Sequence, residues 1–441
     1  MRNKIKWLSK SLIIGLSALS VSAFADDTPK IKVEQVHKDL KNPWDMAFLD
    51  NDTMFFTEKC DGLSVATKDG VNKLYGMKGS KGYPAKGEDL FCEGQAGMLG
   101  LAIDPNFKKN RMIYVASTSN KHHGDGCKDN KDVCNGNIVM KFQVSEDFKS
   151  VAERNDIITD IQYKPFESDH PFGGPGAHNG ARLRFDKQGA LWVTGGDRHK
   201  GDCPQSPTLI CGKVLRVDTD GNAWKGNKPP KGFDKRIYTY GHRSVQGIAF
   251  HPKKNQVFTA EHGPWHNDEI TLLQNGKNGG WDPAPNVGGR GDCPDDYCGY
   301  MPNQKEGMDP AVRGAFTPMS DTRFKDLMYP TWNNMGLSQG TGSAAFLTGK
   351  QWGKWENRLV VGVMGIAFGD TPAGARIDVI DLTDDGKAIR GVIIMLVGFS
   401  DRFRGLTMGP DGALYAAVDE GKIYRGTDLK PIPIKTSKKQ I

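Results

Sequence analysis

The stretch HNGARLRFDKQGALWVTGGD (residues 178–197) decides the fold. Its centre reads strand, turn, strand: Leu183 and Phe185 alternate with polar neighbours, Asp186-Lys187-Gln188-Gly189 makes the turn, and residues 190–194 are a second apolar run. His178 and Asp197 stand at the two ends, where a plain hairpin has no need of a histidine or a carboxylate. The same text recurs along the chain. MAFLDNDTMFFTE begins at Met46, LAIDPNFKKNRMIYVA at Leu101, LRFDKQGALWVTGGD at Leu183, IAFHPKKNQVFTAEHG at Ile248, AAFLTGKQWGKWENRLVVG at Ala344 and LTMGPDGALYAAVDE at Leu406, six copies in all. Between them lie further strands, GKVLRVDTDG from Gly212, ARIDVIDLTDDGK from Ala375 and GKIYRGT from Gly421.

A hairpin of this kind cannot bury both of its faces alone. Roughly four strands per unit, with neighbouring units covering one another, is the pattern of a β-propeller. The expected fold is therefore all-β: a six-bladed β-propeller with four-stranded antiparallel blades, one domain over residues 26–441 with a C-terminal tail from about residue 428. Helical periodicity is weak, and 54 glycines and 24 prolines leave no long helix to compete with this pattern. The spacing between copies is uneven. The longest excursions, 120–137, 162–177 and 282–340, are expected as loops on the active-site face, because loops of that length usually serve a site.

The chain opens with MRNKIKWLSKSLIIGLSALSVSAFA, in which Arg2, Lys4, Lys6 and Lys10 precede an apolar stretch and an Ala23-Phe24-Ala25 end. That is the form of a secretory signal peptide over residues 1–25, and it implies a periplasmic or secreted protein. No later stretch approaches the roughly 18 apolar residues of a membrane helix, so no membrane span is expected. The formal charge of +7 includes the four basic residues of that leader; without them 55 Lys+Arg face 52 Asp+Glu. A weak and well-mixed balance argues against nucleic acid as a partner.

Eight cysteines in an oxidising compartment point to disulfides. Proximity suggests 127 with 134, 203 with 211 and 293 with 298, which leaves Cys60 with Cys92. A zinc site is the weaker alternative: His122 and His123 lie near Cys127, but no CxxC pair exists.

The polar residues with chemistry sit where strands of different copies begin and end. Gln95 precedes the second copy, His178 and Asp197 bracket the third, Arg243 and Gln246 lead into the fourth, EHGPWHNDE (261–269) leaves it, and Arg402 and Arg404 lead into the sixth. Radial repetition would gather such ends around one axis. Singly each has a bland explanation: a surface or core histidine, inter-blade ion pairs, a loop amide, a solvated Asp268-Glu269 pair. Together, three arginines suit an anionic ligand, since guanidinium forks onto carboxylate or phosphate. No Walker motif or GxGxxG opening a helix is present, which argues against a nucleotide. A histidine within reach of an aspartate makes a general base. The oxygen-rich GPW and NGKNGGW segments, with carboxylates nearby, suit calcium.

These motifs, in this order from about Asn42 to Tyr424, resemble those of the soluble quinoprotein glucose and aldose sugar dehydrogenases of the glucose/sorbosone dehydrogenase family: GQAGMLGLAIDP, HNGARLRFD with GGD, GKVLRVDTDGN, YGHRSVQGIAF, EHGPWHNDEI with NGGW, and RFRGLTMGPDGALY. The resemblance implies a propeller that binds pyrroloquinoline quinone (PQQ) and Ca2+ and oxidises the anomeric carbon of an aldose to a lactone, passing electrons to an acceptor the sequence does not identify. It makes His178 the base, Asp197 its orienting carboxylate and Gln95 a contact to a sugar hydroxyl. Arg243, Arg402 and Arg404, with Ser244, Gln246 and Arg376, become the cofactor-binding candidates. The carbonyls of Gly263 and Pro264 become the calcium ligands, with Asp268 and Glu269 beside them. Two departures touch the cofactor. Ser244 and Val245 stand where relatives have Asn and Pro, and no lysine occurs near Gly365, where Arg376 is the candidate substitute. Two other functions remain open: a non-catalytic propeller that binds a protein or glycan, and a calcium-dependent hydrolase of the lactonase type. The second would need several Asp, Asn and Glu ligands at equivalent strand ends, and too few occur.

Overall fold

The computed structural model describes residues 31–121, 135–164, 175–264, 266–283, 317–365, 375–396 and 401–428. The proposed leader, the tail beyond 428, His122, His123 and the cysteines 127, 134, 293 and 298 lie outside them.

Six sheets form, one for each copy of the repeat. Each copy supplies the first two strands of a blade, as in Gly180–Phe185 and Leu191–Gly195, and the intervening text supplies the rest, here Lys213–Val217 and Ile237–Tyr240. The first strands of successive blades touch one another around the ring, and that of the sixth blade, Phe403–Met408, closes onto that of the first, Pro43–Asp50. Two features go beyond the repeat. The outer strand of the sixth blade is Ile31–His37, from the other end of the chain, paired antiparallel with Lys422–Asp428. The first blade adds a fifth strand, Ala85–Gly87, parallel to Gly70–Met77.

Alternation along each strand explains why the blades stack. In Leu191-Trp192-Val193, Leu191 and Val193 pack toward the second blade with Tyr114 and Val139, whereas Trp192 packs toward the fourth with Ile248. Phe55 likewise faces the second blade, while Met54 and Phe56 face Ala417 and Ile423 of the sixth. Leu359 and Val361 face the fourth blade and Val360 the sixth. The large apolar clusters thus lie mainly between neighbouring blades, and a period of two feeds two clusters from one strand. Each fully buried large side chain contributes about 1.5–3 kcal/mol.

The axis itself is blocked by a polar pin. Arg182, 1% exposed, forms an ion pair with Asp45 Oδ1 at 2.7 Å and donates to the carbonyls of Trp44, Gln246 and Arg404, so one guanidinium joins four blades. Asp45 also accepts from Arg184 and from the Leu101 amide. Burial pushes Arg182 down to about 10, with Asp45 opposing that shift.

Disulfides join Cys60 to Cys92 and Cys203 to Cys211, as sequence proximity suggested. No helix among the described residues is long and apolar enough to cross a membrane.

Candidate active site

At one end of the axis the strand ends converge as their positions in the repeat imply. The hairpin that opened the sequence places its two ends side by side: His178 Nδ1 lies 2.7 Å from Asp197 Oδ1. Gly196 permits this approach, since a Cβ there would sit 1.9 Å from the His178 carbonyl oxygen. His178 itself holds φ at +57°, and Arg198 and His199 follow Asp197 at +49° and +52°. Non-glycine residues hold this region only where their surroundings dictate it, and such positions cluster at functional sites.

Asp197 is buried and collects donors. The Trp281 indole donates to Oδ2 at 2.7 Å, and the His199 amide donates to Oδ1 at 3.0 Å. Burial pushes this carboxyl up to about 7, opposed by Arg243, the indole and the amide. On its other edge His178 Nε2 lies 2.7 Å from His199 Nε2, with the rings at 81°. The Gln95 side chain accepts from the His178 amide at 3.3 Å, so the expected sugar contact and the expected base are neighbours.

The arginines meet around His262. Arg243, Arg404 and Arg402 all disfavour its cation, and burial together with them pushes His262 down to about 4. Arg243 donates to the His262 carbonyl at 3.0 Å, yet its buried Nε has no partner among the described residues. Burial pushes Arg243 down to about 10. Arg404 forks onto Asp419 at 2.8 and 2.7 Å. Arg402 shares the same carboxylate and reaches the carbonyls of Met364 and Gly365, the place where no lysine stands. Burial opposes the Arg404 cation, but Asp419 raises its pKa overall. Gln246, Arg404, Gln95, Lys59 and Asn179 line one cavity at the axis, where the buried Asn179 Nδ2 also lacks a partner. Ser244 accepts from Gln246 Nε2 at 3.1 Å.

Two unsatisfied buried donors among several guanidinium groups fit an anionic ligand rich in oxygen acceptors. Arg376 forks onto Asp378 and reaches Gln339, whose carbonyl accepts from the Gly365 amide at 2.8 Å.

The calcium candidates differ in their surroundings. Both oxygens of Asp268 are engaged by its own neighbourhood: Oδ1 by the Gly263 amide and Ser338, Oδ2 by the amides of Gln339 and Thr341. Glu269 is held by Ser320, and burial, then Glu261, push its carboxyl well above the usual range. The oxygens of Asp268 are thus taken up by neighbouring donors, whereas Glu269 meets Ser320 alone among the hydrogen-bond donors of the described residues. No group of three His, Cys, Asp or Glu side chains placed for a metal occurs among the described residues. The carbonyls of Gly263 and Pro264 remain the oxygen donors of this loop. Gly263 is required by the turn, where a Cβ would lie 1.8 Å from the His266 carbonyl.

Four participants escaped the sequence reading: Trp281, His199, Asp419 and Lys59. Asp419 and Lys59 follow the second strands of their blades, the place in the repeat that pointed to Asp197. Applied to every copy, the strand-end rule would have found them. Trp281 comes from a long loop, and the NGGW motif that ends on it pointed to oxygen ligands and not to an indole donor.

Residues 40–425 match the sequence profile of the family described as Glucose / Sorbosone dehydrogenase. The aldose sugar dehydrogenase of Escherichia coli (strain K12) is 27% identical over 393 residues, covering 88% of this chain and 90% of its own length. The quinoprotein glucose dehydrogenase B of Acinetobacter calcoaceticus is 28% identical over 312 residues, 63% of this chain and 60% of its own. The PQQ-bound form of an aldose sugar dehydrogenase from Streptomyces coelicolor shares the fold, with a TM-score of 0.63 at 19% identity over 90% of this chain and 98% of that one. With six blades, a paired histidine and aspartate at the mouth and a profile match across nearly the whole ring, the chain belongs to the glucose/sorbosone dehydrogenase family.

Proposed function

We propose that this protein is a quinoprotein that oxidises the anomeric carbon of an aldose to a lactone at the axial cavity, with PQQ and Ca2+ as cofactors and His178 as general base. The observation that carries this is the His178–Asp197 pair at 2.7 Å, set beside Gln95 and close to an arginine cluster with an unsatisfied buried donor. The cofactor would supply a two-electron acceptor for the hydride leaving the anomeric carbon.

The chain's own residues do the rest. With Nδ1–H donated to Asp197, the His178 lone pair lies on Nε2, the nitrogen that takes the proton of the anomeric hydroxyl. Asp197 fixes that tautomer and stabilises the imidazolium that results. Gln95 orients the sugar through a second hydroxyl. Arg243, Arg402 and Arg404 would hold the anionic oxygens of the cofactor, with Gln246 and Ser244 adjoining. The Gly263 and Pro264 carbonyls would hold calcium, which would supply Lewis-acid polarisation of the bound quinone.

The cysteine pairs and the basic-apolar leader support a periplasmic or secreted address. The test is to titrate the purified protein with PQQ in the presence of calcium and follow dye reduction with a panel of aldoses. Saturable activation by at least one sugar is expected. Folded protein that gains no activity with any of them would overturn the proposal.

A further inference from the structure

The second strand of the first blade, Thr53–Glu58, runs directly into Lys59. The backbone of Lys59 is fixed on both sides: its amide donates to the Asn42 carbonyl at 3.0 Å, and its carbonyl accepts from Met98 at 2.8 Å. Gly97 packs so closely that a Cβ there would sit 2.2 Å from the Lys59 carbonyl oxygen. The Cys60–Cys92 disulfide then ties the next residue to the turn that carries Gly94 and Gln95. The side chain is thereby directed into the axial cavity, which it lines together with Arg404, Gln95 and Gln246.

Charge at this wall is unbalanced. The Lys59 ammonium donates to the Gly94 carbonyl at 2.7 Å, and no carboxylate lies within ion-pair distance of it among the described residues. Asp419 is already shared by Arg402 and Arg404 and acts on Lys59 only from a distance, and Glu420 accepts from the Arg402 amide, so Lys59 has no carboxylate of its own on this side of the cavity among the described residues. Burial, then the Arg404 guanidinium, push the Lys59 ammonium below its ordinary pKa. A half-buried cation placed against a guanidinium is unfavourable unless an anion completes the set. The alternative role, a staple holding the Gly94 turn, needs only the one hydrogen bond and leaves the excess charge without a purpose.

We propose that Lys59 binds an anionic oxygen of the cofactor, supplying a cation from the first blade to the wall that Arg404, Gln95 and Gln246 also line. This rests on the quinoprotein function proposed above. A compact ammonium with three donors can keep the Gly94 carbonyl and still meet a carboxylate.

The test measures binding and not turnover. Quenching of tryptophan fluorescence by PQQ, with calcium present, gives the dissociation constant for the full-length protein, Lys59→Met and Lys59→Arg. The thermal midpoint of each cofactor-free protein is recorded alongside. Loss of one charge-assisted contact should weaken PQQ about tenfold or more in Lys59→Met, with Lys59→Arg within about threefold of the parent on the same scale. The trimethyl ester of PQQ, which lacks the carboxylate charges, should bind the parent and Lys59→Met alike. Equal affinity of parent and Lys59→Met for PQQ overturns the inference. So does weakening that Lys59→Arg fails to restore, or that persists undiminished with the ester, since a staple would act that way. A parent protein that binds no PQQ at all defeats the quinoprotein function itself, and this inference with it.

Discussion

His178 Nδ1 and Asp197 Oδ1 are 2.7 Å apart, although a complete β-hairpin separates them in sequence. The hairpin is the structural core of the third blade, and the ladder that pairs Gly180 with Gly195 brings its ends together. An imidazole oriented by a buried carboxylate follows from the same register that fills the apolar clusters on either side.

Removing the imidazole should separate binding from chemistry. His178→Ala is expected to keep affinity for PQQ and calcium within a few fold of the parent and to lower kcat by roughly 100-fold or more, the usual contribution of a general base. Steady-state kinetics with saturating cofactor checks this, and turnover within a few fold of the parent would remove His178 from the mechanism.

Asp197 sets the acid limb of the pH profile. Its carboxyl, pushed up to about 7 by burial, is expected to protonate as pH falls through that value, and kcat falls with it. The consequence for folding has the opposite sense. A carboxyl whose folded pKa lies above its unfolded value of about 3.9 favours the folded state most below that unfolded value and loses this contribution as pH rises through the folded one. Asp197→Asn should therefore flatten the pH dependence of the cofactor-free thermal midpoint between about pH 4 and 7, while depressing activity at every pH. An unchanged pH dependence of that midpoint would show that Asp197 does not titrate in this window.

The shared carboxylate makes the two arginines of the sixth blade one unit. Arg402→Gln with Arg404→Gln is expected to raise the PQQ concentration for half-activation by about 100-fold, as two charge-assisted contacts are lost. Adding Asp419→Asn removes the carboxylate left unpaired in that variant and should recover thermal stability without recovering affinity. Half-activation at the parental concentration would make both arginines structural.

His199 occupies the nitrogen that a sugar must reach. An imidazole nitrogen has one lone pair in the ring plane, so a hydroxyl engages His178 Nε2 only by displacing His199 Nε2 from its 2.7 Å contact. His199→Ala should lower KM for the sugar and leave PQQ affinity unchanged. A raised KM would mean that His199 helps to hold the substrate.

The pin on the axis should dominate stability. Arg182→Met leaves Asp45 buried with only Arg184 as its charged partner and abandons three carbonyls, so a loss of about 3–5 kcal/mol is expected. Denaturant unfolding measures it, and a loss below about 1 kcal/mol would show the pin to be dispensable.

How much of this was legible follows from the range of each interaction. The six hairpins were plain because a strand, a turn and a strand are local, and all six copies became the inner strands of blades. Closure of the ring was not, because Ile31–His37 pairs with Lys422–Asp428 across almost the whole chain and only partly buries its side chains, leaving no local sign of its partner. The convergence of strand ends that carry His178, Asp197, Arg243, Arg402 and Arg404 could be read from their place in the repeat. Trp281 could not, because it reaches Asp197 from a loop of the following blade. The partners of Arg376 and Asp268 were not legible, because Asp378 on the one and the four donors on the other are set by strand register and loop folding.

The most direct test of the central claim is a single turnover without dye. The protein is loaded with one equivalent of PQQ and calcium, mixed anaerobically with an aldose labelled with 13C at the anomeric carbon, and followed by absorbance and 13C NMR. The expected result is reduction of the bound PQQ together with one equivalent of label appearing as lactone or its aldonate hydrolysis product. Bound PQQ that stays oxidised while the labelled carbon of every aldose tried remains a hemiacetal would contradict it.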